Sequence, residues 1–320
     1  MQQNSGVIPK PNYFTIRTAN SVLLLLLCVY YAVEAVDLLL YLQTGHTIDP
    51  LVAALIQIIG CAAVLIYVFL KADPVHALRL QLPKPANIGY SVALAFFIYL
   101  PMSVLLAFIT ESLSSTGVSV PANEVTQAVQ SMPFWVEFAY FCVVIPLIEE
   151  IILRGVVQNA YERKIGVWAF VLSGVLFGVL HANLLGALNG AVVGLLMGYV
   201  YIKTRSLWCP ILMHAVYNLF AFTSIPDLFV VNLPWVLGMF GLETLTFRNT
   251  GYAVYTLGVA VIGALMCYLI IRALNAKNKE NVAIKSPFYR PQPGQWILLV
   301  AACVLLAGRF VISLLGMFVV

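Results

Sequence analysis

Charge is the scarcest thing in this chain. Asp, Glu, Lys and Arg together make up 9% of its 320 residues, against about 25% in a soluble domain. That shortage excludes an ordinary water-soluble fold. With 62% hydrophobic residues and a mean hydropathy of +0.96, it indicates a polytopic membrane protein. The net charge is only +4 and is spread between segments, so nucleic-acid binding is not indicated. Segments of alternating polarity are missing, which leaves helices rather than a barrel to cross the bilayer. The polar stretch 1–19 lacks the charged–apolar–small order of a cleavable signal peptide, so the first apolar run is expected to remain as a helix. The six cysteines, at 28, 61, 142, 209, 267 and 303, form no C-x-x-C and lie in or beside apolar runs. They read as small core residues, not as disulfides or thiolate ligands. H-E-x-x-H, the usual zincin signature, is also absent.

What is present is a series of apolar runs of about 17–25 residues, the length of a membrane span. They fall at 20–43, 51–70, 88–109, 134–160, 166–183, 186–203, 206–224, 252–272 and 295–318. The stretch 227–242 is apolar but broken by Pro234, and reads as re-entrant or interfacial. The expected fold is therefore all-α, a transmembrane helical bundle of eight or nine spans. It divides into an N-terminal membrane region (1–130), a central helical core (131–225) and a C-terminal membrane region (226–320). The 110–132 loop is polar, and its second half has the pattern of a short amphipathic helix. The 273–294 linker is basic.

Fifteen of the 17 basic residues fall on one side of this arrangement, from Lys10 and Arg17 to Lys285 and Arg290. The opposite loops carry Asp49, Glu111, Glu124, Asp227 and Glu243, with only Arg248 basic. The bias of Lys and Arg toward cytoplasmic loops places the N-terminus in the cytoplasm. The expected location is the plasma membrane of a prokaryote.

Against this background the run V-I-P-L-I-E-E-I-I-L-R-G stands out, with Glu149 and Glu150 adjacent and Arg154 one turn on. Each acidic residue at the centre of a membrane helix costs roughly 2.5–3.5 kcal/mol, so the pair costs about 5–7 kcal/mol before compensation. One arginine offsets one glutamate; the other needs a reason of its own. Two further pairs lie in the next helices at four-residue spacing, the apolar Phe177 with His181 and the polar His214 with Asn218, each on one helix face. The other two histidines, His46 and His76, are in loops. Glu34 and Asp37, three apart in the first span, form a second intramembrane acidic pair for which Arg309 of the last span is a candidate partner. Between the two histidine-bearing helices lies a row of glycines, 186, 190, 194 and 198, four apart, suited to close helix packing.

Two carboxylates, two imidazoles, an amide and a guanidinium suit peptide hydrolysis by activated water. A glutamate takes the proton from water and returns it to the leaving amine. A histidine with an amide donates hydrogen bonds to a tetrahedral oxyanion. The same set also offers Glu and two His as metal ligands, with water in the open position. Counting along the helices, Glu149 and His181 are each roughly 22–26 Å from the turn near Lys164, whereas His214 is only about 13 Å from Arg205. Connection lengths thus put His214 about 10 Å out of level.

The three motifs, E-E-x-x-x-R (Glu149, Glu150, Arg154), F-x-x-x-H (Phe177, His181) and H-x-x-x-N (His214, Asn218), resemble those of the CPBP family in type and order. That family comprises CAAX prenyl proteases and bacteriocin-processing enzymes, and is also called the Abi family. The resemblance covers about residues 130–225. It implies an intramembrane endopeptidase in which Glu149 is the base working with His181, and His214 and Asn218 stabilise the oxyanion. Glu150 pairs with Arg154, and Phe177 supports them. It implies a peptide or lipidated-protein substrate, prenylated or of bacteriocin or pheromone type, met in membrane lipid. It leaves the cofactor open: either one divalent metal such as zinc, held by Glu149, His181 and His214, or none. The alternative reading is a non-catalytic membrane scaffold or a bacteriocin-immunity factor. A transporter with the glutamates as a proton relay is disfavoured, because no internal repeat is visible.

Overall fold

In the computed structural model, residues 13–117, 133–181, 183–223, 250–282 and 294–316 are described. The 227–242 stretch, the second half of the 110–132 loop and the Arg309 side chain lie outside them.

Among the described residues the chain is all helix, and no strand occurs. The elements are α1 (Ile16–Thr44), α2 (Pro50–Lys71), the one-turn α3 (Pro74–Ala77) and α4 (Pro85–Ser115). A long helix α5 follows over residues 134–165, then a 3₁₀ turn (Gly166–Trp168), α6 (Ala169–Leu180), α7 (Leu184–Thr204), α8 (Trp208–Thr223), α9 (Thr250–Lys277) and α10 (Gln295–Gly316). Five of these (α1, α2, α4, α7 and α9) are long and apolar enough to cross a membrane. The chain is an integral membrane protein. α6 has 12 residues and α8 has 16, both shorter than the roughly 20 of a full span. The helix before the basic linker is longer than expected, running on from 272 to Lys277.

Local chemistry explains the ends. α1 is capped by Thr15 accepting from the Thr18 amide and closes at Gly45, whose φ of 74° suits a residue without Cβ. α2 has Asp49 as its cap and proline in first position. Asp37 accepts from the Ile48 amide at 2.6 Å and so closes the α1–α2 turn. Gly166, at φ 62° and ψ −133°, lets the chain reverse between α5 and α6. Asn183 starts α7 by accepting from the Gly186 amide at 2.7 Å.

α6 and α7 pack closely enough to exclude side chains. A Cβ on Gly174 would lie 2.6 Å from the Leu195 nitrogen, and one on Gly178 would lie 2.5 Å from the Ala187 oxygen. α5 lies beside them, α1 packs on α5, α2 and α10, and α4 packs on α8 and α9. Four cysteines (61, 142, 209 and 267) are buried as expected, but Cys28 and Cys303 face outward; all six are free.

α5 is not a plain α-helix. π-helical winding occupies Tyr140–Val144 and Ile151–Gln158, on either side of the α-helical Ile145–Glu150. Glu150, Arg154, Gln158 and Glu162 recur every four residues, and all four are fully buried. In a 3.6-residue helix that spacing drifts by about 40° per step, or about 120° over the three steps. The wider π winding takes in more residues per turn and keeps the polar row facing inward.

Candidate active site

The site is built where α5, α6, α7 and α8 meet. Glu150 is fully buried; its Oε1 accepts from Arg154 Nη1 at 2.7 Å and from His214 Nδ1 at 3.1 Å. Arg154 Nη2 donates to the Gly194 carbonyl of α7 at 2.9 Å, and one turn on Gln158 Nε2 donates to the Gly198 carbonyl at 2.8 Å. The polar row of α5 is thus bonded to the glycine row of α7. Arg154, one of the fifteen basic residues that charge counting assigned to one side, is fully buried within the bundle. The need to neutralise Glu150 holds it in the interior.

Glu149 points elsewhere, as a neighbour about 100° around the helix must. Its side chain is 12% exposed, and its Oε2 lies 3.9 Å from His214 Nε2. His214 therefore sits between both glutamates, its Nδ1 edge on Glu150 and its Nε2 edge toward Glu149. A carboxylate that takes the Nδ1 proton fixes the ring's orientation, the role such partners play behind catalytic and metal-binding histidines.

His181 is the C-cap of α6, and the pairing of its Nδ1 with the Phe177 carbonyl at 2.8 Å leaves Nε2 for other partners. The Phe177 ring lies 4.9 Å from the His181 ring, 5.3 Å from that of His214 and 4.7 Å below the Arg154 guanidinium. It is the common wall of the site. The glycines of α7 make room for it: a Cβ on Gly190 would come within 3.0 Å of His181 Nδ1, and one on Gly194 within 3.0 Å of the Phe177 ring.

Asn218 is held by a defect in α5. In the π register each amide bonds five residues back, as Ile145 does to Tyr140. The next residue, Pro146, has no N–H, so the Phe141 carbonyl lacks its helical donor. Asn218 Nδ2 donates to that carbonyl at 2.9 Å. One of its two N–H groups thus fastens α8 to α5, one turn from His214.

The 10 Å depth mismatch for His214 does not occur. His214 Nδ1 lies 3.1 Å from Glu150 and Nε2 lies 3.9 Å from Glu149, so the ring is level with the glutamate pair. The shorter rise of a π-wound α5 reduces the counted offset.

Sequence reasoning missed Gln158, Glu162 and Arg79. Glu162 is fully buried and accepts from both Arg79 Nη2 (2.6 Å) and Arg205 Nη1 (2.9 Å). The four-residue repeat of Glu150, Arg154, Gln158 and Glu162 was the available signal. Among the described residues, no three His, Cys, Asp or Glu side chains are arranged to hold a metal ion.

Residues 131–220 match a family model described as type II CAAX prenyl endopeptidase Rce1-like. The match supports the resemblance of this segment to the CPBP family. The chain is also 28% identical to "Putative membrane peptidase YdiL" of Bacillus subtilis (strain 168) over 172 residues, 52% of this chain and 68% of that protein. No solved structure matches it. The CPBP match begins just before α5 and ends within α8, so it spans every residue of the site.

Proposed function

We propose that this CPBP-like membrane peptidase cleaves a membrane-proximal peptide bond, in a prenylated or bacteriocin- or pheromone-like substrate, by water activated at Glu149 and His181. The observation that carries the reading is the unequal treatment of the two glutamates. Glu150 is sealed by Arg154 and His214, while among the described residues no arginine is bonded to Glu149, which is part-exposed beside an imidazole. A fold that meets the cost of a carboxylate in apolar surroundings, yet leaves it without a guanidinium, keeps it available as a base.

The step balances as follows. Water oxygen attacks the carbonyl carbon while Glu149 takes the water proton and His181 Nε2 orients the water. The oxyanion is stabilised by a hydrogen bond from His214, with the remaining N–H of Asn218 as a second donor. The C–N bond then breaks as Glu149 returns the proton to the leaving amine, giving one carboxylate and one amine product. The setting is the plasma membrane of a prokaryote, with the N-terminus in the cytoplasm.

The test is Glu149→Gln, purified and reconstituted with a natural substrate found as an uncleaved precursor in the membrane proteome of a Glu149→Ala strain. Normal cleavage by a folded Glu149→Gln protein ends the proposal and favours the scaffold reading. Elemental analysis with chelator treatment of the active wild type decides whether a divalent metal such as zinc takes part.

A further inference from the structure

The basic end of the bundle holds a cavity that proteolysis does not use. It measures about 770 Å³ and lies between the α3–α4 loop, the α7–α8 turn and the segment after α9. Arg79, Leu82, Lys84, Arg205, Glu280 and Val282 are among its lining residues.

Its charge is not balanced. Arg79 and Arg205 share the single carboxylate of Glu162, while Lys84 is matched by Glu280 at 2.9 Å. Three cations thus face two carboxylates among these described residues. The surplus is not fully hydrated: the Arg79 side chain is 10% exposed, and its Nη1 is buried with no hydrogen-bond partner. The α4 N-terminus adjoins the cavity through Pro83 and Lys84, and Lys84 provides no side-chain cap, so the positive end of that helix adds to the field. Both arginines hold left-handed backbone conformations, at φ 59° and 56°. The Arg79 carbonyl accepts from the Leu207 amide at 2.9 Å, which ties the two loops together.

The lining is also apolar at its rim, where Leu82 is 87% exposed and Val282 is 64% exposed. A free inorganic anion gains nothing from those side chains. A phospholipid covers them with its glycerol and first methylenes while its phosphate reaches the guanidiniums. We propose that this cavity binds the headgroup phosphate of an anionic phospholipid. A choline headgroup brings a cation toward the surplus positive charge and is disfavoured.

Equilibrium binding of a fluorescent phosphatidylglycerol to the purified full chain in neutral-detergent micelles tests this. Unlabelled phosphatidylglycerol should compete, phosphatidylcholine should compete far less, and inorganic phosphate should leave the lipid bound. Arg205→Gln and Lys84→Gln should each weaken binding by about fivefold, the effect of one cation beside an anionic lipid. Glu280→Gln, which frees Lys84, should strengthen it. Should Arg205→Gln fail to fold, the exposed Lys84–Glu280 pair decides, because neither substitution touches the core. Unchanged affinity in both variants overturns the proposal, as does equal competition by phosphatidylcholine. Displacement by inorganic phosphate overturns the lipid assignment in favour of a simple anion site.

Discussion

α5 carries buried acid at two places, and they are treated differently. At Glu162 two arginines converge on one fully buried carboxylate, from the α3–α4 loop and from the α7–α8 turn. Thirteen positions earlier, the ion-pair partner of Glu149 among the described residues is the edge of an imidazole at 3.9 Å, and its side chain stays part-exposed. Glu150 stands between these cases, bonded to one arginine and one histidine. The comparison teaches that burial alone does not mark a reactive carboxylate. The number and kind of cations that the fold brings to it separate a structural acid from a candidate base.

Substitutions can break that comparison. The largest effect is expected at Glu149: Glu149→Gln should lower cleavage by about 10³-fold, within the range for general-base loss, with unchanged melting in micelles. Glu162→Gln should do the opposite. It strands Arg79 and Arg205 in a buried site and should cost about 3–5 kcal/mol of stability, read from thermal unfolding, while the folded fraction keeps its kcat. Equal losses of activity in both variants would erase the distinction. Glu150→Gln should fall between them, with kcat down about 10–100-fold at little-changed KM, because His214 loses the partner that orients it. The smallest change is expected for Asn218→Ala. It leaves the Phe141 carbonyl unbonded and should cost about 1 kcal/mol in stability, with a modest drop in kcat from lost register of α8. A drop as large as that of Glu149→Gln would move Asn218 from a fastening role into the chemistry itself.

Much of this was legible in the chain. The apolar runs locate every long helix, since burial in lipid leaves a compositional trace that depends little on tertiary detail. The polar residues of the three four-residue motifs point to the helices that converge, because so few polar residues are tolerated in apolar surroundings. The glycine row of α7 reads as a packing face, and its partners turn out to be His181, Phe177 and Gln158. The level of His214 was misjudged, because a count of residues knows nothing of the π winding in α5. Glu162 and Arg79 were not singled out, because each lies near a helix end where solvent is the default partner.

By itself, the sequence determined an all-helical membrane chain, the order of its helices and the small set of polar side chains available for chemistry. Composition and spacing act locally and need no knowledge of the neighbours. Only the tertiary structure decided how those polar groups share charge: Glu150 with Arg154 and His214, Glu162 with Arg79 and Arg205, and Glu149 beside His214. Electrostatic pairing depends on distances of a few ångströms across helices far apart in the chain, and no local pattern encodes those distances.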